Sequence, residues 1–245
     1  ANGGMTLKNT GSDGNGYDLA KSFGHTIIEL GPAIVQIKLK GKDFKGISGT
    51  RFNGLVKLYK DDIFIHQDED EILFTDYGIS GPSILQLSRR ALDVVNEGAR
   101  AYFYIDLFPE YTLDKLIEKF SYEFALSKNS LRESLVGKIN DKLIPYVLKD
   151  FDLKQKVNVI EYKEIEEIVW KLKNWVFEVD SYKSIDGAQV TVGGVNTEEI
   201  NPSTMESKLV DGLYFVGEIV DIDGDCGGFN LHWAWASAYA CGSSI

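Results

Sequence analysis

The stretch "GLYFVGEIVDIDGDCGGFNLHWAWASAYACG", residues 212–242, decides how this chain is read. A short apolar run, "LYFVG", stops at Glu218, and a loop follows that carries three aspartates and three glycines. The chain then resumes as an apolar, aromatic segment of helical texture. Strand, glycine loop and helix together often cradle a phosphate, because the first N–H groups of the helix point outward. This loop is acidic, which sets it against a phosphate. A carboxylate at a strand end accepts hydrogen bonds from a polyol, and a glycine pair opening a helix lets backbone approach a flat ligand closely.

Composition bounds the answer. At 245 residues the chain is long enough for one large domain or two modest ones. Its 44% apolar and 26% charged residues are ordinary for a folded globular protein. A net charge of −11 and a pI near 4.8 speak against a nucleic-acid partner, since neutralising phosphates takes clustered Lys and Arg. The densest acidic run, "DDIFIHQDEDE" (residues 61–71), reads as the solvated face of a hairpin. Two cysteines, Cys226 and Cys241, are too few for a disulfide framework, so a reduced, cytoplasmic setting is the expectation. No apolar run approaches the ~18 residues that span a bilayer, and no secretory signal is present. A small-molecule substrate is therefore expected rather than a nucleic acid or a membrane. The chain opens with "ANGG", without an initiator Met or a leading strand, and reads as a piece of something longer.

The texture changes several times along the chain. "GSDGNGYDLAKSF" is a glycine-rich loop entering a helix near residues 17–23, with Thr10, Ser12 and Asp13 as helix-start residues. From Ala33, "AIVQIKLKG", "KGISGTRFNG", "LVKLYKDDIFIHQ" and "DEILFTDYG" alternate with a period of two, as a meander or small barrel does. Pro82 opens a helix, and "ARAYFYIDLFP" is another strand. Residues 111–172 carry apolar positions at helical spacing, after which strand texture returns in "WVFEVDSYKSIDGAQVTVGGV". An insertion between two halves of one α/β domain explains this order better than two sequential domains.

Single motifs are weak. "GSDGNG" spaces its glycines as G-x-x-G-x-G, which is not the dinucleotide fingerprint, and no strand precedes it. "DIDGD" fails as a calcium loop because the twelfth position is His232, not Glu. In "GISGPS", Ser80 lacks the nucleophile-elbow spacing; Ser80-Gly81-Pro82 reads as a helix cap with Pro in the first turn. His25, His66 and His232 share no metal-ligand spacing. "NLHWAWA" reads as core packing, and Cys226 as an inert thiol. Taken jointly, however, the Glu218 carboxylate and the Gly227-Gly228 helix entry suit a flavin, whose ribityl chain is a polyol and whose ring carries electron-rich carbonyls.

With those residues in place the chain resembles the BaiN/YhiN-like bacterial flavoproteins, the aminoacetone-oxidase family of FAD-binding enzymes. The resemblance is carried by "AQVTVGGVNTEEINPSTMESKLVDGLYFVGEIVDIDGDCGGFNLHWAWASAYACG", by "FTDYGISGPSILQLSR" and by "GGMTLKNTGSDGNGYDLAKSFGHTI". It covers nearly the whole chain and is densest in the last 60 or so residues. Fumarate-reductase-type flavoproteins are more distantly similar, at Gly3-Gly4, residues 10–14, Gly193-Gly194 and residues 212–218. The resemblance implies an α+β, multidomain chain: a β-barrel-like insert with a helical subdomain, plus the remnant of a glutathione-reductase-like α/β FAD domain lacking its first βαβ unit. It implies FAD-domain segments at 1–31 and 191–245. The insert would occupy 32–110 (barrel-like, with one helix), 111–172 (helical) and 173–190 (returning barrel strands).

Carried over residue by residue, Gly3, Gly4, Thr10, Gly11, Gly193, Gly194, Gly217 and Glu218 would border the cofactor, with Glu218 at its ribityl or pyrophosphate region. Gly227, Gly228, Phe229, Asn230 and Leu231 would set a helix N-terminus against the flavin's pyrimidine edge, where the dipole favours the charge of the reduced ring. Thr191 and Asn230 are positional candidates for catalysis. Asp76 stands where relatives often carry His, so no imidazole role transfers to it. The implied activity is that of a cytoplasmic FAD-dependent oxidoreductase passing hydride between flavin and a small substrate or NAD(P)H. The alternative is a flavin-carrying or cofactor-free binding or regulatory module. Because no G-x-G-x-x-G loop is present, residues 1–245 alone are expected to bind FAD weakly or not at all and to be inactive.

Overall fold

The computed structural model describes residues 1–41 and 44–245. In chain order its elements are α1 (Asn15–Ser22), β1 (Ile27–Ala33), β2 (Ile37–Leu39), β3 (Arg51–Lys60), β4 (Ile63–Phe74), β5 (Gly78–Ser80), α2 (Pro82–Asn96) and β6 (Ala101–Asp106). There follow α3 (Leu113–Leu126), α4 (Leu131–Leu135), α5 (Ile144–Val147), α6 (Tyr162–Lys173), β7 (Trp175–Tyr182), β8 (Val190–Val195) and α7 (Phe229–Gly242). The chain divides into two compact units, one of residues 37–181 and one of residues 1–36 with 182–245. No helix among the described residues is long and apolar enough to cross a membrane.

In residues 37–181 the period-two runs close into a six-stranded barrel ordered β2-β5-β4-β3-β6-β7. Its long hairpin pairs β3 with β4 from Arg51↔Leu73 to Lys60↔Ile63. Val56, Leu58, Ile72, Phe74, Phe103 and Ile105 point inward and are fully buried, whereas most of the acidic run on β4 is exposed. α2 buries Ile84, Leu87, Ala91 and Leu92, one helical face, and packs on β4. Its N-cap is Gly81, with Pro82 following in the first turn. Ser80 is buried at the end of β5 and does not cap the helix. Gly81 has φ 103°, and a Cβ there would lie 2.4 Å from the Glu71 carbonyl oxygen, so glycine alone fits.

Two of the helices between β6 and β7, α3 and α4, start where the sequence supplies side-chain caps. Thr112 accepts from the Lys115 N–H at α3, and Ser130 with Glu133 forms a capping box at α4. A buried ion pair fastens the two ends of this stretch. Lys173 Nζ donates to Asp106 Oδ2 (2.7 Å) and to the carbonyls of Phe108 (2.8 Å) and Tyr111 (2.6 Å). The other Asp106 oxygen accepts from the Phe108 N–H at 2.9 Å.

The second unit is built around an antiparallel pair, β1 with β8, from Ile27↔Val195 to Ala33↔Val190. The register shifts between Ile28 and Gly31, and Gly193 faces the irregularity at φ 79°. A Cβ at Gly193 would sit 2.1 Å from the Glu29 carbonyl oxygen, so the bulge admits no side chain there. α1 lays Tyr17 and Ala20 on a core of Val195, Ile200, Met205, Phe215, Ile219 and Val220. At one edge the buried His25 ring bridges Glu199 Oε2 (3.0 Å, Nδ1) and Ser207 Oγ (2.8 Å, Nε2). Ser207 Oγ also accepts from the N–H groups of Leu209 and Val210, both at 3.0 Å. Its own proton therefore goes to His25 Nε2, leaving the Nδ1–H for Glu199. The trio is a structural clasp rather than an activated serine.

Three sequence expectations are corrected here. "LYFVG" is not a strand: its one β contact is the single bridge Glu206↔Tyr214, and the residues after it form a 3-10 turn, Gly217–Ile219, that Gly217 enters at φ 75°. One bridging residue provides no ladder, so the apolar run stays extended without becoming a strand. The helix after the glycine loop, α1, is capped by Gly14 at φ 87°, with no side-chain cap, while Thr10 sits in a separate turn, Lys8–Thr10. Finally, "NLHWAWA" is not core: in α7 only Ser237 is buried, and Leu231, His232, Trp235 and Tyr239 are exposed. A helix apolar all round turns only one stripe to this unit's core, the side of Trp233, Ser237, Ala240 and Cys241.

Candidate functional site

Glu218 stands in the 3-10 turn after the apolar run, and both backbone and side chain are fixed. The Gly217 N–H donates to Ser237 Oγ at 2.9 Å, and the Gly217 carbonyl accepts from the Trp233 indole N–H at 3.1 Å. Two side chains one turn apart on α7 thus grip the peptide next to Glu218. The Tyr17 hydroxyl donates to the Glu218 carbonyl at 3.5 Å. Burial, and then the neighbouring Glu218 carboxylate, push the Tyr17 phenol well above its ordinary value, so it remains a donor.

The carboxylate itself is held on one side only. Its Oε1 accepts from the Thr191 N–H at 2.6 Å and from Thr6 Oγ1 at 3.5 Å. Its Oε2 has no hydrogen-bond partner among the described residues. Thr191 is 1% exposed, and its hydroxyl serves the N-terminal segment, accepting from the Met5 N–H at 2.8 Å and lying 3.2 Å from Thr6 Oγ1. Gly4 makes this approach possible: a Cβ there would fall 2.2 Å from Thr191 Oγ1 and 2.6 Å from Glu218 Oε1. Thr191 is consumed in positioning Glu218.

Glu218 shares a pocket of ≈ 360 Å³ with Gly227, Gly228, Asn230 and Leu231 at the start of α7. Gly228 caps that helix at φ 94° without any side-chain hydrogen bond, and a Cβ added there would meet nothing within 4 Å. The N–H groups of Phe229, Asn230 and Leu231 have no acceptor among the described residues, so the positive end of the helix is open to a ligand. Asn230 folds back on the acidic loop: its Oδ1 accepts from the Gly224 N–H and its Nδ2 donates to the Gly224 carbonyl, both at 2.9 Å. Both ends of its amide hold that loop against the helix. Leu7, Ile34, Val190 and Trp233 supply apolar walls, and among the described residues no Lys, Arg or His lines the pocket.

The pocket therefore brings together Glu218, Gly227, Gly228, Asn230 and Leu231, with Gly4, Thr191 and Gly217 directly behind them. Phe229 lies outside the lining and is 62% exposed. Gly3, Thr10 and Gly11 are not part of it: Gly3 turns the chain at φ 71° and Thr10 closes its own turn through the Leu7 carbonyl at 2.8 Å. Gly193 and Gly194 shape the β1–β8 pair, where a Cβ at Gly194 would meet the Ile219 carbonyl at 2.6 Å. Thr6, Tyr17, Trp233 and Ser237 are the positioning residues that sequence reading missed. The available signal was the spacing of Trp233 and Ser237, i and i+4 on α7. Among the described residues no cluster of three His, Cys, Asp or Glu side chains could hold a metal ion.

Comparison with known proteins places this geometry in a family. Residues 1–244 match the model of the HI0933-like protein Rossmann domain. The chain is 36% identical to a 3-dehydro-bile acid delta(4,6)-reductase of Clostridium scindens, over 98% of its own length and 59% of that protein. It is 31% and 27% identical to proteins named ribosomal RNA dihydrouridine synthase in Haemophilus influenzae and Escherichia coli. In both cases the match spans 100% of this chain and 59% of the relative. The chain thus spans about three-fifths of the length of the curated relatives it matches. It is a mixed α/β chain with a closed six-stranded barrel, and it belongs to the HI0933-like Rossmann-domain family.

Proposed function

We propose that residues 1–36 and 182–245 form the ribityl-and-ring side of an FAD site in a flavin-dependent reductase. The observation that carries this reading is the half-held carboxylate of Glu218, beside the uncapped N-terminus of α7 in one pocket. The free Oε2 suits a ribityl hydroxyl, a neutral donor. The open N–H groups of α7 suit the electron-rich pyrimidine carbonyl of the ring, where negative charge rises on reduction. The residues fit that half of the cofactor. They do not fit its phosphates, since no cation lines the pocket. Residues 1–245 by themselves should therefore bind FAD weakly, and the protein expressed from its complete reading frame should bind it tightly.

Flavin supplies hydride transfer when bound. This chain's own residues orient the ring and favour its reduced charge; Thr191 and Asn230 act as supports, not as acids or bases. The names of the relatives share one chemistry, saturation of a carbon–carbon double bond conjugated to a carbonyl. We carry that reaction class to this protein, with a small enone as the first substrate class and NAD(P)H as the reductant. A second reading, an RNA uracil as substrate, is favoured by the two dihydrouridine synthases among its relatives. The net charge of −11 does not decide against it, because only Lys8, Lys21, Lys183 and Lys208 of the chain's cations lie outside residues 37–181.

The test is flavin content and affinity in the protein expressed from its complete reading frame, with Glu218→Gln beside the wild type. Glutamine keeps the acceptor for Thr191 but replaces the free oxygen by a donor. A hydrogen bond to a charged group is worth about 1.5–3 kcal/mol, so FAD affinity should fall about 10- to 150-fold. A colourless wild-type protein, or a variant that binds FAD as tightly, refutes the reading. Bound FAD without NAD(P)H oxidation would point to a binding role instead of turnover.

A further inference from the structure

Residues 37–181 contain a second pocket, ≈ 560 Å³, larger than the one beside Glu218 and within the ~300–1,000 Å³ usual for ligand sites. Its wall is aromatic and rigid. Trp175 and Phe177 on β7 have ring centroids 4.8 Å apart, and Trp175 packs at 5.1 Å on Phe74 inside the barrel. From α6, Trp170 extends the wall and is 46% exposed. Such an indole, presented to solvent beside a formed pocket, is out of place in a core and apt for stacking a flat ring.

The charged groups of the pocket are mainly cationic. Lys40, Lys149 and Lys171 line it against a single acid, Glu178. Lys40 pairs with Glu178 at 2.7 Å and Lys171 with Asp150 at 3.3 Å, whereas Lys149 has no ion-pair partner among the described residues. Asn174 donates through Nδ2 to the Trp170 carbonyl at 3.1 Å, and its Oδ1 remains as an acceptor at the pocket edge. An exposed cation, a rigid aromatic wall and one amide acceptor correspond to the three parts of a nucleotide. Those parts are an anionic phosphate, a planar base, and an N–H donor on the base edge.

We propose that this pocket binds a nucleotide, with the base stacked on Trp170 and Trp175 and the phosphate at Lys149. Stacking on an aromatic side chain is sequence-tolerant because every base has a π face, and lysine serves phosphate as a point charge. A carboxylated steroid shares the amphipathic character, but it has no π face to offer the indoles and no N–H donor for Asn174. The nucleotide can be half of a free dinucleotide or one residue of an RNA strand. The proposal does not depend on flavin binding by the other unit, since every lining residue belongs to residues 37–181.

Isothermal titration of the intact protein with NADP⁺, single-stranded oligouridine RNA and cholate tests it. Trp170→Ala and Lys149→Glu are the variants, both at exposed positions, with thermal melting to establish that they fold like the wild type. One nucleotide probe should bind with a Kd of about 1 mM or tighter. Trp170→Ala should weaken it about 5- to 150-fold, and Lys149→Glu about tenfold. Preference for NADP⁺ identifies the pocket with a free dinucleotide, and preference for the oligonucleotide identifies it with RNA. Binding of cholate alone, binding of no probe, or nucleotide binding untouched by both variants would each overturn the proposal.

Discussion

Replacing Asn230 by alanine separates the acidic loop from the helix it lies against. In the structure this amide makes two hydrogen bonds to Gly224, each 2.9 Å, and no other among the described residues. Each is worth about 1 kcal/mol net, and neither Asn230 nor Gly224 is fully buried, so water can replace part of the loss. The loop around Gly227 and Gly228 should therefore become easier to disorder by about 1–2 kcal/mol. If the open N–H groups of α7 meet the flavin ring only when the loop is ordered, that loosening reappears in affinity. A shift of 1–2 kcal/mol corresponds to about 5- to 30-fold weaker FAD binding. Titration of apoprotein with FAD, followed by quenching of flavin fluorescence, measures it directly.

Asn230→Asp sharpens the same experiment. One carboxylate oxygen can still accept from the Gly224 N–H, but the other faces the Gly224 carbonyl without a proton to share. The added negative charge sits in the first turn of α7, where the dipole welcomes it, so the thermal stability of the helix should not fall. FAD reduction should become harder, because the same charge opposes the anionic reduced ring. An alanine variant with affinity within twofold of wild type would mean that the loop is no part of the site. An aspartate variant with an unchanged flavin potential would mean that the ring lies elsewhere.

Other perturbations follow from named contacts. Lys173→Met removes the only side-chain cation on the buried Asp106 carboxylate among the described residues and strips two carbonyls of a donor. Urea denaturation should show a loss of about 3–5 kcal/mol, larger than that of the charge-free pair Asp106→Asn with Lys173→Met. Although burial works to raise it, hydrogen bonds from Thr26 and His25 hold the Glu199 carboxyl below its usual 4.5. Its folded pKa being depressed, the stabilisation is complete above 4.5 and disappears as pH falls through the folded value. Thermal melting across acid pH should show that loss, and Glu199→Gln should abolish it. Gly193→Ala sets a methyl group 2.1 Å from the Glu29 carbonyl, and should lower the melting temperature far more than Gly98→Ala, where a methyl meets nothing.

The barrel was legible because its strands alternate strictly: Val56 and Leu58 are buried while Lys57 and Tyr59 are not. Glu218 was legible because a lone carboxylate closing an apolar run, with glycines ahead of a helix, has few structural uses. What stayed hidden was set by distance along the chain. Ile27 pairs with Val195 and the Met5 N–H meets Thr191 across 186 positions, separations at which no local pattern operates. "LYFVG" was misread for the opposite reason, since its apolar texture is real but no neighbouring strand completes a ladder. The apolar texture of α7 was misread as burial, whereas it belongs to a helix whose outer face carries Leu231, Trp235 and Tyr239 in the open. Periodicity reports which residues are apolar, not what covers them.

Charge illustrates the same limit at the level of function. The average of −11 speaks against a nucleic-acid partner, yet the average describes neither unit. Every arginine of the chain, and all lysines but four, fall within residues 37–181. The pocket beside Glu218 consequently has no cation with which to hold a phosphate, and suits the uncharged polyol and ring of a cofactor. The aromatic pocket of residues 37–181 is lined by Lys149, which has no ion-pair partner among the described residues, and suits an anion. Electrostatic attraction acts over about a Debye length, ~8 Å in physiological salt, so a ligand responds to the side chains lining its pocket and not to the sum over the sequence. The inference that survives from composition is thus local: acidity marks where the phosphates of a cofactor do not lie.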